Sequence, residues 1–150
     1  MAETEARTRS QSDFHAIQLA LYCDIMERIL NVGPSLSTTK LILFSFLAKC
    51  RRIKSRRSYD GRPRTDLLSK ATCEAAGNFN CLLSDLPFII EAISISLSAN
   101  RFTSNDAGLF GLGPEHKLDK RLDDPLMRKL IERSTDLDDS FALQEVLRNV

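Results

Sequence analysis

LPFIIEAISISLSANRFTSNDAGLFGL runs from Leu86 to Leu112, and its reading decides the fold. Its first part continues an apolar pattern that begins with Leu82 and Leu83 and runs through Leu86, Phe88, Ile89, Ile90, Ile93, Ile95 and Leu97. That pattern predicts a long helix over roughly Asn80 to Asn100. Its second part changes character. Arg101–Thr103 and Leu109–Leu112 read as two short strands, with the turn residues Ser104–Gly108 between them. A linker with Gly113 and Pro114 follows. Pro87 falls inside the helical run, where it either kinks the helix or opens a second piece capped by Ser84 or Asp85.

Three helices are expected before this segment. Ser12 or Asp13 caps the first, whose Phe14, Ile17, Leu21, Ile25, Met26, Ile29 and Leu30 form one apolar stripe. Gly33 and Pro34 end it. Ser37 or Thr38 caps the second, STTKLILFSFLAKCRR. It is apolar on nearly every side, through Leu41, Ile42, Leu43, Phe44, Phe46 and Leu47, and so belongs at the centre of the fold. Thr65 starts a short third helix, which Gly77 stops.

Two more helices are expected after the hairpin. Asp123-Asp124-Pro125 is a strong start for LMRKLIERS. DDSFALQEVLRNV closes the chain, with Phe141, Val146, Leu147 and Val150 on its apolar face. Residues 1–12 are polar and are expected to be disordered. Residues 13–150 are expected to form one domain, in keeping with a chain of 150 residues.

Helix, short helix, long helix and hairpin is the order of a winged helix-turn-helix. Here the parts are Ser37–Arg52, Thr65–Ala76, about Asn80–Asn100, and Arg101–Leu112 as the wing. The expected fold is therefore mainly α with a short β-hairpin, a winged-helix-like core with extra N- and C-terminal helices.

Charge is distributed unevenly. KCRRIKSRRSYDGRPR, from Lys49 to Arg64, holds eight Lys or Arg and only Asp60 as acid, in a chain of net charge +1. The rest of the chain is correspondingly acidic, much of it between Asp119 and Glu145. Three readings of the basic stretch stand side by side. It contacts nucleic-acid phosphates, it meets a protein partner, or it is a solvated helix end that pairs with the acidic tail. The candidate nucleic-acid-binding residues are Arg51, Arg52, Lys54, Arg56, Arg57, Arg62 and Arg64. These cations are too dense to enter a core unpaired.

Catalytic signals are weak. His15 and His116 have no nucleophile or orienting partner recognisable in the sequence. No Walker A pattern occurs. Gly108, Gly111 and Gly113 follow a turn and not a buried strand, which argues against a phosphate cradle. Asp136, Asp138 and Asp139 read as acid at a helix start. Cys23, Cys50, Cys73 and Cys81 form no C-x-x-C pair and are expected to be reduced, mostly buried thiols. No Trp and only two Tyr disfavour a stacking surface for bases or sugars. No catalytic residue, cofactor or metal is expected.

The N-terminus MAETEARTRSQSDF has no apolar segment of the secretory type. The longest apolar run, Leu41–Ala48, is too short to span a bilayer. A cytoplasmic protein is the expectation.

The stretches NVGPSLSTTKLILFSFLAKC (Asn31–Cys50), RTDLLSKA (Arg64–Ala71), Leu86–Leu112 and SFALQEVLRNV (Ser140–Val150) resemble the middle component of bacterial three-component ABC systems. These systems are related to Lamassu-type antiphage operons. The resemblance covers most of residues 20–150 and rests on an order of helices and a style of residue. It implies a non-catalytic adaptor encoded beside an SMC- or Rad50-like ATPase and an effector, often a nuclease.

The alternative is a free-standing winged-helix DNA-binding regulator. In such a reader the third helix enters the major groove with Arg, Lys, Asn or Gln on base edges. Here that helix lacks Lys and Arg and carries Asp85 and Glu91, which favours the adaptor. Any DNA contact is then expected from the Lys49–Arg64 stretch, to the backbone and without sequence readout.

Overall fold

The computed structural model describes residues 2–53, 67–114 and 121–150, without the side chains of residues 2–6 and 53. In chain order it contains α1 (Ala2–Leu30), β1 (Leu36–Ser37), α2 (Thr38–Ile53), α3 (Leu67–Glu74), α4 (Phe79–Ser98), β2 (Phe102–Ser104), β3 (Leu109–Leu112), α5 (Pro125–Glu132), a 3-10 turn (Ser134–Asp136) and α6 (Asp139–Asn149). The fold is mainly helical with a small three-stranded antiparallel sheet of order β1-β3-β2.

Helix α2 is the centre. It touches every other α-helix and reaches β1 and β3. Leu41, Leu43, Phe44, Phe46 and Leu47 are all buried, as expected of a helix apolar on nearly all sides. Burying five such side chains supplies roughly 1.5–3 kcal/mol each relative to exposure. Helices α1 and α4 pack together on one flank of α2, while α3, α5 and α6 form a second group. Tyr22, Met26 and Ile29 of α1 and Ile89, Ala92 and Ile93 of α4 close the first flank. Leu68, Leu126, Met127, Ile131 and Val146 close the second.

The sheet holds a third strand beyond the expected hairpin. The hairpin pairs Phe102 with Leu112 and Ser104 with Phe110, around a turn in which Asn105 Oδ1 accepts from the amides of Ala107 and Leu109. β1 adds Leu36 opposite Phe110 and Ser37 opposite Leu109. Ser37 also accepts a hydrogen bond from the Lys40 amide at 3.2 Å. An N-cap residue has extended backbone, so the cap of α2 doubles as a strand. Two residues are too few for alternation to reveal.

Two helix boundaries differ from the sequence reading. α1 begins at Ala2, so residues 2–12, expected to be disordered, are helical. Ala, Glu, Arg and Gln in that stretch are good helix formers, and the helix continues one already anchored from Gln18 onward. Residues 7–17 are exposed. α4 runs unbroken from Phe79 to Ser98 with Pro87 inside it. Pro87 and Leu83 are both exposed, so water reaches the side of the helix where the proline lacks its N–H. α5 follows expectation, with Asp124 as N-cap and Pro125 at its first position.

α4 is the one helix among the described residues long and apolar enough to cross a membrane by length and composition. It packs instead on α1 and α2, and its Asp85 is bonded inside that packing.

Candidate interaction surfaces

Within the described part of the basic stretch, Lys49–Arg52, the cations divide. Arg51, in the last turn of α2, is only 9% exposed. Its guanidinium bonds to Glu74 of α3 and, through two nitrogens, to Asp124 ahead of α5. Asp124 Oδ1 also caps α5, accepting from the Leu126 amide at 3.0 Å and the Met127 amide at 3.2 Å. Burial alone opposes the charge on Arg51. The hydrogen bond and charge of Asp124, then Glu74, outweigh it and hold its pKa above the ordinary arginine value. One guanidinium thus joins three helices. Expected among the phosphate-facing residues, Arg51 is committed to carboxylates, because burial is tolerable only with such partners.

Lys49 is also turned inward. Its ammonium donates to Asp85 Oδ2 and Gln18 Oε1, each at 2.8 Å, and lies 5.0 Å from the centre of the Tyr22 ring. The Tyr22 hydroxyl donates to the same Asp85 oxygen at 2.7 Å. The network ties α1, α2 and α4 together. It also explains Asp85, an acid on the packed side of a largely apolar helix. A further ion pair sets Arg101 Nη1 3.0 Å from Oε1 of the buried Glu27.

Burial pushes the Tyr22 phenol above its ordinary pKa, and the hydrogen bond and charge of Asp85 add to the rise. Folding therefore favours the protonated phenol. That contribution is complete below the unfolded phenol's pKa of about 10 and declines as pH rises from there toward the folded value. In a Tyr59→Phe chain, phenolate absorbance is expected to appear together with alkaline loss of the helical circular-dichroism signal. Ionisation near pH 10 while the helices stay intact would contradict this placement of Tyr22.

Arg52 is the exposed neighbour, 54% accessible, with Nη1 3.4 Å from Asp24 Oδ2. Lys54, Arg56, Arg57, Arg62 and Arg64 lie outside the described residues.

The described surface also carries apolar side chains in separate places. On α4, Leu83 and Ile90 are 52% and 53% exposed, and Pro87 is exposed between them. Spacings of four and three residues put these three on one helix face. On α6, Leu143 and Leu147 are half-exposed one turn apart. α6 packs on α3 and α2 and α4 on α1 and α2, so the two faces belong to different flanks of the central helix. Phe14 and Ile17 expose a third apolar spot on α1, where Phe14 stands edge-on to Phe88 with centroids 6.2 Å apart. His15 Nε2 lies 3.0 Å from Glu91 Oε2 beside it. The sequence marks α4 as too apolar to be solvated all round. Which of its sides lies open depends on how α1 and α2 cover it.

The cysteines divide. Cys50 is buried and Cys23 partly so, while Cys73 and Cys81 are exposed. The expectation of mostly buried thiols therefore fails for the pair on α3 and α4. Gly113 holds the end of the hairpin against α4. Its amide donates to Arg101 O at 2.8 Å, and its bare Cα lets the chain pass the carbonyl of Asn100. Comparison of the chain with protein-family models, with curated proteins and with solved structures finds no match.

Proposed function

We propose that this protein is a non-catalytic adaptor subunit that links an SMC- or Rad50-like ATPase to an effector in antiphage defence. The observation that carries the reading is the pair of apolar faces on different flanks of α2, Leu83–Pro87–Ile90 and Leu143–Leu147. A chain that joins two proteins needs two docking surfaces, and exposed apolar clusters mark such surfaces. The resemblance of the sequence to middle components names the class of partner.

A winged-helix-like arrangement is part of the proposal. The order of the elements, helices α2, α3 and α4 followed by the hairpin, supports it, and on this reading α4 corresponds to the DNA-reading helix. A reading helix needs cations or amides aimed at base edges. α4 has no Lys or Arg, and leucine, proline and isoleucine lie on its open face. This supports the adaptor over a free-standing regulator.

The test is co-expression with the products of the adjacent genes. The chain is expected to co-purify with a large ATPase. Leu83→Asp with Ile90→Asp should release one partner, and Leu143→Asp with Leu147→Asp the other, each variant keeping the parent's circular-dichroism spectrum. A monodisperse monomer that captures neither protein defeats the proposal. So does capture that both variants leave intact.

A further inference from the structure

We infer that an arginine cluster at the junction of α1, α2 and the lead into α5 binds the phosphate backbone of DNA without reading sequence. The cluster is Arg28, Arg52, Arg121 and Arg128, which come from four separate places in the chain. Asp24 Oδ2 draws two of them together, accepting from Arg28 Nε at 2.9 Å and lying 3.4 Å from Arg52 Nη1. Arg28 Nη1 donates onward to the carbonyl of Arg121 at 2.9 Å. Arg128 Nη2 donates to the next carbonyl, that of Leu122, at 2.6 Å. Residues 121 and 122 are thus held between an arginine of α1 and an arginine of α5. The side chains of Arg52, Arg121 and Arg128 are exposed there.

Among the described residues, arginines outnumber carboxylates at this corner. Arg28 and Arg52 share Asp24, and the nearby Asp124 is already committed to the buried Arg51. Guanidinium presents planar, paired N–H donors that match phosphate oxygens and keep their charge at any physiological pH. All four cations are arginine. The cluster itself holds no aromatic ring on which successive bases could stack. Such a surface positions a nucleic-acid backbone and does not specify its sequence. This inference goes beyond the adaptor reading, because it concerns the chain alone.

The test measures binding of the full chain to two fluorescein-labelled DNA duplexes of unrelated sequence, by anisotropy, between about 50 and 200 mM NaCl. Both duplexes are expected to bind equally. Arg52→Ser with Arg121→Ser should weaken both by about tenfold or more and lower the salt slope by about two. Arg52→Ser alone should lower the slope by about one. Arg148→Ser, at an exposed arginine on α6, should leave both quantities unchanged. The inference is overturned if the parent chain does not bind at the lowest salt, or if the double variant keeps the parent's affinity and slope. It is also overturned if polyglutamate competes as well as DNA. Because neither ATPase nor effector is present, loss of partner capture and loss of DNA binding are read separately.

Discussion

Arg51→Ala is expected to lower the unfolding free energy by about 3–5 kcal/mol, the usual cost of removing one partner from a buried ion pair. The residue's two acceptors make the case strong. Without the guanidinium, Glu74 and Asp124 lose the cation that bridges them. Asp124 would have to hold its cap of α5 while carrying an uncompensated charge. Arg51→Lys should recover only part of the loss, since a single ammonium cannot span both carboxylates with the same fork of donors. Arg52→Ala is the internal comparison. Its side chain is exposed and its ion pair with Asp24 is long, so its effect should stay within about 0.5 kcal/mol. Urea unfolding followed by helical circular dichroism measures all three. Equal effects at Arg51 and Arg52 would mean that the buried tie does not exist in solution.

Gly113→Ala is expected to cost about 3 kcal/mol or more. An added Cβ would collide with the carbonyl oxygen of Asn100 and approach that of Arg101 to 3.2 Å. Both are backbone atoms where α4 turns into β2, and neither can rotate away as a side chain would. Asn100 already sits at φ 55° to make that turn, and the Gly113 amide bonds to Arg101. Relief therefore requires moving the junction that sets the hairpin against α4. Gly33→Ala is the control, because its added Cβ would meet nothing within 4 Å. Thermal unfolding of the two variants should separate them clearly. A Gly113→Ala chain that melts with the parent would refute the close approach.

Both effects concern residues whose importance is poorly visible in one dimension. Arg51 and Arg52 are chemically identical neighbours, about 100° apart around α2. One meets Glu74 and Asp124, the other meets water and Asp24. The sequence leaves the acidic tail open as a partner of the basic stretch, and Asp124 belongs to that tail, but nothing local selects Arg51 as the arginine that pairs with it. Gly113 looks like a linker glycine until the chain is folded back past Asn100.

What the sequence by itself determined were features set by neighbours a few residues apart. The all-round apolar pattern made α2 central, Asp124-Pro125 started α5, and the turn residues between Ser104 and Gly108 closed the hairpin. These signals act within a turn or two of backbone, so each can be read where it stands. Only the tertiary structure decided the rest. It made a strand of Leu36 and Ser37 by supplying Phe110 and Leu109 as pairing partners. It sent Lys49 and Arg51 inward and left Arg52 outward. It also gathered Arg28, Arg52, Arg121 and Arg128 at one corner. The physical reason is common to all of these. The energy of a two-residue strand, a buried cation or a charge cluster is set by groups tens of residues away in sequence, and those groups become neighbours only when the apolar faces of the helices have packed.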